Sequence, residues 1–339
     1  MLYPWTHTNW KRLHAHPSGP GSGLLLAGPR GVGKRAFARA LAQGLLCSDA
    51  LVGGEACGAC TSCRLFMADS HPDFRLVEPI PSEGRGEAPD TSVTDTPSPK
   101  SDAGSILVSQ VRDLADFLTV ASHLAGAKVV LIQPADRLHL SAASALLKTL
   151  EEPPVRTVFI LVADRPQRLP PTIRSRCFRL DFPLPPRDAA LNWLAAQGIE
   201  NAEIILAQAG FAPLIAAELE RNGFSNKRRS FNDLLAAPHR GHVDLAAGAD
   251  PRELPLVCQL LQRWCYDLLS LKVSNRVRYS PDYTEKLRAL ADNADVHQLA
   301  NLMNDLVATA RSLEHPLNAR LVIEQLAIRY TRTISPKPA

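Results

Sequence analysis

Apolar positions follow two regimes along this chain. Up to about residue 182, short uninterrupted apolar runs alternate with segments of helical spacing; from residue 183 onward only helical spacing persists. Residues 24–27 form one such run and lead into Gly28 and Gly31, after which 34–46 carries Ala36, Phe37, Ala40, Leu41 and Leu45 at intervals of a helix. The order predicted there is strand, glycine loop, helix. Runs at 127–132 and 157–163 are long enough for buried strands, and 141–150 between them has an alanine and leucine helical pattern. Strands that alternate with helices predict an α/β domain with a parallel sheet covered on both faces. Two all-α domains should follow. Short helices are expected over 189–196, 203–209 and 213–221, and a longer amphipathic one through Val296, Leu299, Met303, Leu306, Ala310 and Leu313, ended by Pro316. The expected domains are 1–182, 183–240 and 241–339. Within the first, 81–105 has no aromatic residue, few apolar ones and repeated Pro, Ser, Thr, Gly and Asp, which predicts a disordered surface insertion.

Composition narrows the class without choosing a function. At 339 residues, with 45% hydrophobic and 21% charged side chains, the chain is ordinary globular material and long enough for two or three cores. Its 38 basic against 34 acidic residues give a net charge of +4, which neither demands nor excludes a nucleic-acid partner. No apolar run reaches the roughly 18 residues of a membrane span, and residues 1–16 lack the apolar core of an export signal, so no membrane and a cytoplasmic location are expected. In that reducing compartment the seven cysteines read as metal ligands or core residues rather than disulfides.

Gly28-Pro29-Arg30-Gly31-Val32-Gly33-Lys34 fits the glycine and lysine part of a phosphate-binding loop, set between a strand and a helix as that motif requires. Glycines allow backbone N–H groups to face an anion, and Lys34 would reach the terminal phosphates. The next position should offer a hydroxyl to Mg²⁺ but holds Arg35. A hydrolase also needs an acidic residue at the end of a second strand, where this chain has Gln133 and Pro134; Asp136 reads as a turn or cap residue. With two metal-binding positions missing, hydrolysis should be slow or absent. The bland alternative is a loop that merely closes strand on helix.

Cys47 followed by Cys57, Cys60 and Cys63 supplies four thiolates with two C-x-x-C steps, the ligand set of a tetrahedral Zn²⁺ site. A full four-sulfur shell leaves no position for water, so a structural role for the 47–63 module is expected. Cys177, Cys258 and Cys265 lack that spacing and read as core residues.

Residues 145–154, Ala-Leu-Leu-Lys-Thr-Leu-Glu-Glu-Pro-Pro, together with Arg174-Ser175-Arg176-Cys177, closely resemble signatures of the bacterial DNA polymerase III clamp-loader subunits of the AAA+ class. Tyr3-Pro4-Trp5, the four-cysteine module and His71-Pro72-Asp73 are similar to the same family, so the resemblance covers nearly the whole chain apart from 81–105. It implies an AAA+ RecA-like first domain, a helical lid and a helical collar. It also implies that Arg176 acts in trans as an arginine finger on ATP held by a neighbour, while Gly28, Gly31, Gly33 and Lys34 form a degenerate loop with weak or absent ATP binding. The implied partners are motor (gamma/tau) and delta subunits in a hetero-oligomer, the sliding clamp, and primed DNA through the complex.

Departures from the motor subunits point to a non-hydrolysing member. Gln133-Pro134 replaces their Asp-Glu, a sensor threonine would align near Ala163-Asp164, and no arginine stands at 210–213 where their lid sensor would fall. The rival readings are an ATP-hydrolysing motor subunit that uses Lys34, and a free-standing zinc-containing DNA-binding factor. Lys227-Arg228-Arg229 reads as a solvated loop rather than a DNA contact.

Overall fold

The computed structural model describes residues 2–15, 21–80, 104–124, 126–238, 241–313 and 317–334. The insertion expected at 81–105 lies outside them apart from Gly104 and Ser105, as does Pro316. The chain divides into two compact units, residues 1–189 and 190–339.

The first unit is built on five parallel strands: β1 (Gly23–Ala27), β2 (Phe74–Val77), β3 (Lys128–Ile132), β4 (Thr157–Ala163) and β5 (Phe178–Asp181), in the spatial order β2-β3-β4-β1-β5. Leu25 of β1 lies opposite Leu161 of β4 on one side and Arg179 of β5 on the other. Every residue of β1 and β3 is buried, which is why these strands read as continuous apolar runs. Alternate side chains then sort to opposite faces. Leu24, Leu26, Val129, Leu131, Ile160 and Val162 share one core with Trp10 and Leu13 of α1 (His7–His14), Phe37 and Leu41 of α2 (Lys34–Leu46), and Phe66 of α3 (Thr61–Met67). Leu25, Val130, Ile132, Phe159 and Leu161 face α4 (Val108–Thr119), α5 (Leu140–Glu151) and α6 (Pro171–Arg176). This is an α/β domain, with the predicted parallel sheet covered on both faces.

The second unit is all helical. Beginning in α7 (Arg187–Ala196), with α8 (Ala202–Gln208) and α9 (Pro213–Arg221), it forms a small core around Leu194, Ile205, Leu206 and Ala216. A larger core joins α10 (Phe224–Leu235), α11 (Gly241–Ala247), α12 (Leu254–Ser274), α13 (Thr284–Asn293), α14 (Val296–Ser312) and α15 (Ala319–Ile334). Phe224, Phe231 and Leu235 of α10 belong to this larger core. Lys227, Arg228 and Arg229 therefore lie inside a helix and not in a loop. Arg228 is buried against Asp282, its Nη1 donating to Oδ2 at 2.9 Å, and Lys227 pairs with Glu253, so two of the three cations have protein partners.

At the centre of the larger core Trp264 and Tyr330 are fully buried. The Trp264 indole N–H donates to the Tyr330 hydroxyl at 2.9 Å, and that hydroxyl donates to the Leu235 carbonyl at 2.6 Å, tying α12, α15 and α10 through one oxygen. Tyr330→Phe keeps the ring but leaves an indole N–H and a carbonyl without partners, at about 1–3 kcal/mol for each buried orphan. Urea unfolding should show a lower midpoint with an unchanged m value.

Candidate functional site: a phosphate-type loop and a distant arginine

The phosphate-type loop follows β1 and ends at the first turn of α2, as its glycines require. Gly28 has φ +156° and Gly33 has φ +95°. A Cβ on Gly28 would sit 2.0 Å from the Phe182 carbonyl oxygen, and one on Gly33 would sit 2.6 Å from the Tyr3 ring. Gly31, at φ +80°, also takes the left-handed form. Close packing alone therefore accounts for glycine at positions 28 and 33. Tyr3 and Trp5 stack with ring centroids 5.3 Å apart, and the Trp5 indole donates to the Val32 carbonyl at 2.9 Å, so the N-terminal aromatic pair braces the loop.

Lys34 folds back onto the loop's own carbonyls and onto Asp164. Its ammonium donates to the carbonyls of Gly28 at 2.6 Å and Pro29 at 2.7 Å and to Asp164 Oδ1 at 2.7 Å, which uses all three of its protons. The side chain is 3% exposed. Burial pushes its pKa below the ordinary lysine value, while the hydrogen bond and charge of Asp164, and the charge of Asp136, act in the opposite direction. Asp136 lies in a short turn after β3, as expected, but its carboxylate does more than close that turn. Its Oδ1 accepts the backbone N–H of Asp164 at 2.9 Å and so fixes the end of β4 beside the loop. The pairing of Lys34 with Asp164 went unread in the sequence; the signal was an aspartate immediately after the strand that pairs with β1.

Gln133, at the end of β3, is buried, and its side-chain amide donates to Glu78 Oε1 at 3.1 Å. Arg35 is exposed at the second position of α2. Neither side chain is a carboxylate or hydroxyl ligand for Mg²⁺.

Arg176 stands at the other end of the sheet. A Cβ on Gly23, the first residue of β1, would lie 3.2 Å from the Arg176 carbonyl oxygen, whereas the phosphate-type loop begins after the last residue of the same strand. Four residue steps of strand, roughly 13 Å, separate those ends. The Arg176 guanidinium donates through Nη1 to the Thr172 carbonyl at 3.0 Å and pairs through Nη2 with Glu151 Oε1 at 2.6 Å. That ion pair is a surface contact, with the arginine 36% and the glutamate 50% exposed, and such pairs contribute little stability.

The four expected thiols come together. Cys47 caps the C-terminus of α2, Cys60 is the N-cap of α3 and Cys63 lies in its first turn, while Cys57 comes from the connecting loop. All four sulfurs lie within 4.8 Å of one another, with Cys47 to Cys57 at 3.5 Å, Cys47 to Cys60 at 3.8 Å and Cys57 to Cys63 at 4.0 Å. A tetrahedral ion with metal–sulfur bonds near 2.3 Å requires sulfur–sulfur edges of about 3.8 Å, so this donor set fits a metal ion. Backbone N–H groups of Cys57, Cys60 and Cys63 point at the sulfurs of Cys47, Cys57 and Cys60 at 3.3–3.4 Å. The Cys63 N–H helps to hold the Cys60 thiol down to about 6. Cys177, Cys258 and Cys265 are buried elsewhere, in the sheet and helical cores.

His71 and Asp73 are structural. Asp73 N–H donates to His71 Nδ1 at 3.1 Å, which leaves Nε2–H to face Ser62 Oγ at 2.7 Å, and Ser62 in turn donates to the Leu46 carbonyl at 2.5 Å. The Asp73 carboxylate accepts the backbone N–H groups of His123 and Leu124, each at 2.8 Å. Both side chains are buried, and together they anchor the metal-type module and the start of β2 to the sheet.

A sequence profile described as "DNA polymerase III, delta subunit" matches residues 14–186. The chain is similar to DNA polymerase III subunit delta' of Pseudomonas aeruginosa, at 35% identity over 88% of this chain and 84% of that protein. It is 28% identical to the Escherichia coli subunit delta' over 98% of this chain and 96% of that one. Subunit tau of Escherichia coli matches at 34% identity, but over 66% of this chain and 30% of its own length.

Metal analysis of the purified chain should find about one tightly held ion per molecule, as one closed four-sulfur shell implies. Cys60→Ser should lose it and melt at a lower temperature, whereas Cys258→Ser should keep the metal.

Proposed function

The chain belongs to the DNA polymerase III delta' subunit family, and from that premise we propose how it works within the clamp loader. As a delta'-type clamp-loader subunit it takes part in DNA replication, and the tau-type reading is the weaker one because tau matches only part of either chain. The proposal is that it hydrolyses no ATP itself and lends Arg176 to ATP bound by an adjacent subunit. One observation carries this reading: Arg176 and the phosphate-type loop are at opposite ends of β1, so this arginine cannot serve its own loop. A guanidinium placed on another protomer's γ-phosphate would stabilise the charge that develops there during transfer. Exchange of the exposed Glu151 partner for a phosphate costs little, since phosphate offers the stronger, bidentate pairing.

The remaining parts of the reading follow from the same chemistry. Gly28, Gly31, Gly33 and Lys34 would bind nucleotide weakly or not at all, because the lysine's protons are taken and no metal ligand follows it. Zn²⁺ is the proposed ion for Cys47, Cys57, Cys60 and Cys63. Those residues would fix the loop between α2 and α3, and an ion with a full sulfur shell would add rigidity without reactivity. Residues 183–240 and 241–339 are proposed as lid and collar, with α10 at the end of the first segment packed into the collar's core, and with motor (gamma/tau) and delta subunits, the sliding clamp and primed DNA as partners. No single described helix is long and apolar enough to cross a membrane, and the proposed setting is the cytoplasm.

In a complex reconstituted with motor and delta subunits, Arg176→Ala should slow the ATP site it serves by about 10³-fold or more, read as loss of that site's share of DNA-stimulated turnover. Arg176→Lys should not restore it, because an ammonium lacks the planar fork. Unchanged turnover with alanine would contradict the trans role, and ATPase activity of the isolated chain that disappears with Lys34→Ala would contradict the non-hydrolysing assignment.

A further inference from the structure

We propose that Asp164 is an internal counter-anion that stands beside Lys34 where a nucleotide phosphate would stand, so that the fold itself closes this loop to ATP. The inference deepens the non-hydrolysing reading and rests on it only in treating residues 28–34 as a phosphate-type loop.

Three observations lead to it. Missing Mg²⁺ ligands explain a lack of hydrolysis but not a lack of binding, since a glycine loop and a lysine can hold phosphate without a metal. Here the lysine is not free to do so. Its three protons are spent on Gly28, Pro29 and Asp164, and its side chain is 3% exposed, so an incoming phosphate must displace an existing acceptor. The two carbonyls are part of the loop's own backbone; Asp164, 28% exposed, is the displaceable partner and the charged one.

The aspartate is also held in place. The bond from its backbone N–H to Asp136 Oδ1 fixes the turn at the end of β4, and Asp136 adds a second negative charge close enough to act on Lys34. A polyphosphate would have to break an ion pair whose lysine is buried and then sit beside two carboxylates. Both steps oppose binding, and both depend on side chains outside the glycine loop. Lys34 on this view is a cross-link between the loop and the end of β4, which gives a physical reason for a lysine in a loop that processes no nucleotide.

The test is ATP binding by the isolated full-length chain, with and without Mg²⁺, followed by titration calorimetry. Asp164→Asn keeps the size of the side chain and an oxygen for Lys34 but removes the charge. It should bind ATP at least about tenfold more tightly than the wild type, because a unit charge a few ångströms from phosphate is worth more than a decade in affinity at an effective dielectric near 20. Adding Lys34→Met to Asp164→Asn should abolish the gain. Equal affinities for wild type and Asp164→Asn, or micromolar binding by the wild type, would overturn the proposal. Should Asp164→Asn fail to accumulate folded, denaturant unfolding of Lys34→Met, Asp164→Leu and the double variant asks the same question. Mutual dependence predicts that the double variant loses less stability than the sum of the single variants, and strict additivity overturns the pairing. Tight binding without hydrolysis by the wild type would remove the counter-anion alone, whereas hydrolysis would remove the non-hydrolysing reading.

Discussion

The polarity of β1 constrains everything else in the first unit. A strand hydrogen-bonded along both edges to parallel neighbours can change its direction or register only by breaking both ladders at once. The residues at its two ends are therefore held apart. Gly28 and Lys34 follow its C-terminal end, whereas Arg176 packs by its N-terminal end. On the proposed reading, a subunit built this way offers an arginine to another protomer at one edge while its own loop at the other edge takes no part in hydrolysis.

That loop has been stabilised by other means. Glycine at 28 is required by the Phe182 carbonyl and at 33 by the Tyr3 ring, Trp5 bonds to the Val32 carbonyl, and Lys34 is shared among two carbonyls and Asp164. These interactions preserve the shape of a phosphate loop without phosphate. On the other side of α2, the four sulfurs and the chain of bonds through Ser62, His71 and Asp73 fasten the end of that helix to the start of β2. Helix α2 is thus anchored at both ends by protein groups, at its start through Lys34 and at its end through the four-sulfur cluster.

Central elements were legible in the sequence: burial on both faces makes 157–163 an apolar run that matches β4, and helical spacing of apolar residues over 34–46 matches α2 at both ends. The strands β2 and β5 were not, since each is a four-residue edge strand carrying an outward arginine, Arg75 or Arg179, which breaks the apolar pattern. The cysteine cluster was legible because its four residues are close in sequence and their spacing is that of a tetrahedral metal site. The ion pair between Lys34 and Asp164 spans 130 residues, and the aspartate after β4 becomes a signal for it only once the sheet sets β4 against β1. The Lys227–Arg229 run was misread as a loop because charge was given more weight than Phe224, Phe231 and Leu235, whose helical spacing seats α10 in the core.

The central claim is an asymmetry, an arginine given outward and a loop closed inward, and one structure tests it directly: the complete complex with motor and delta subunits, determined with a non-hydrolysable ATP analogue. The account predicts the Arg176 guanidinium within hydrogen-bonding distance of a neighbour's γ-phosphate, with Lys34 still on Asp164 and no nucleotide beside it. Analogue bound at Lys34, with Arg176 still paired to Glu151 and far from any phosphate, would contradict it.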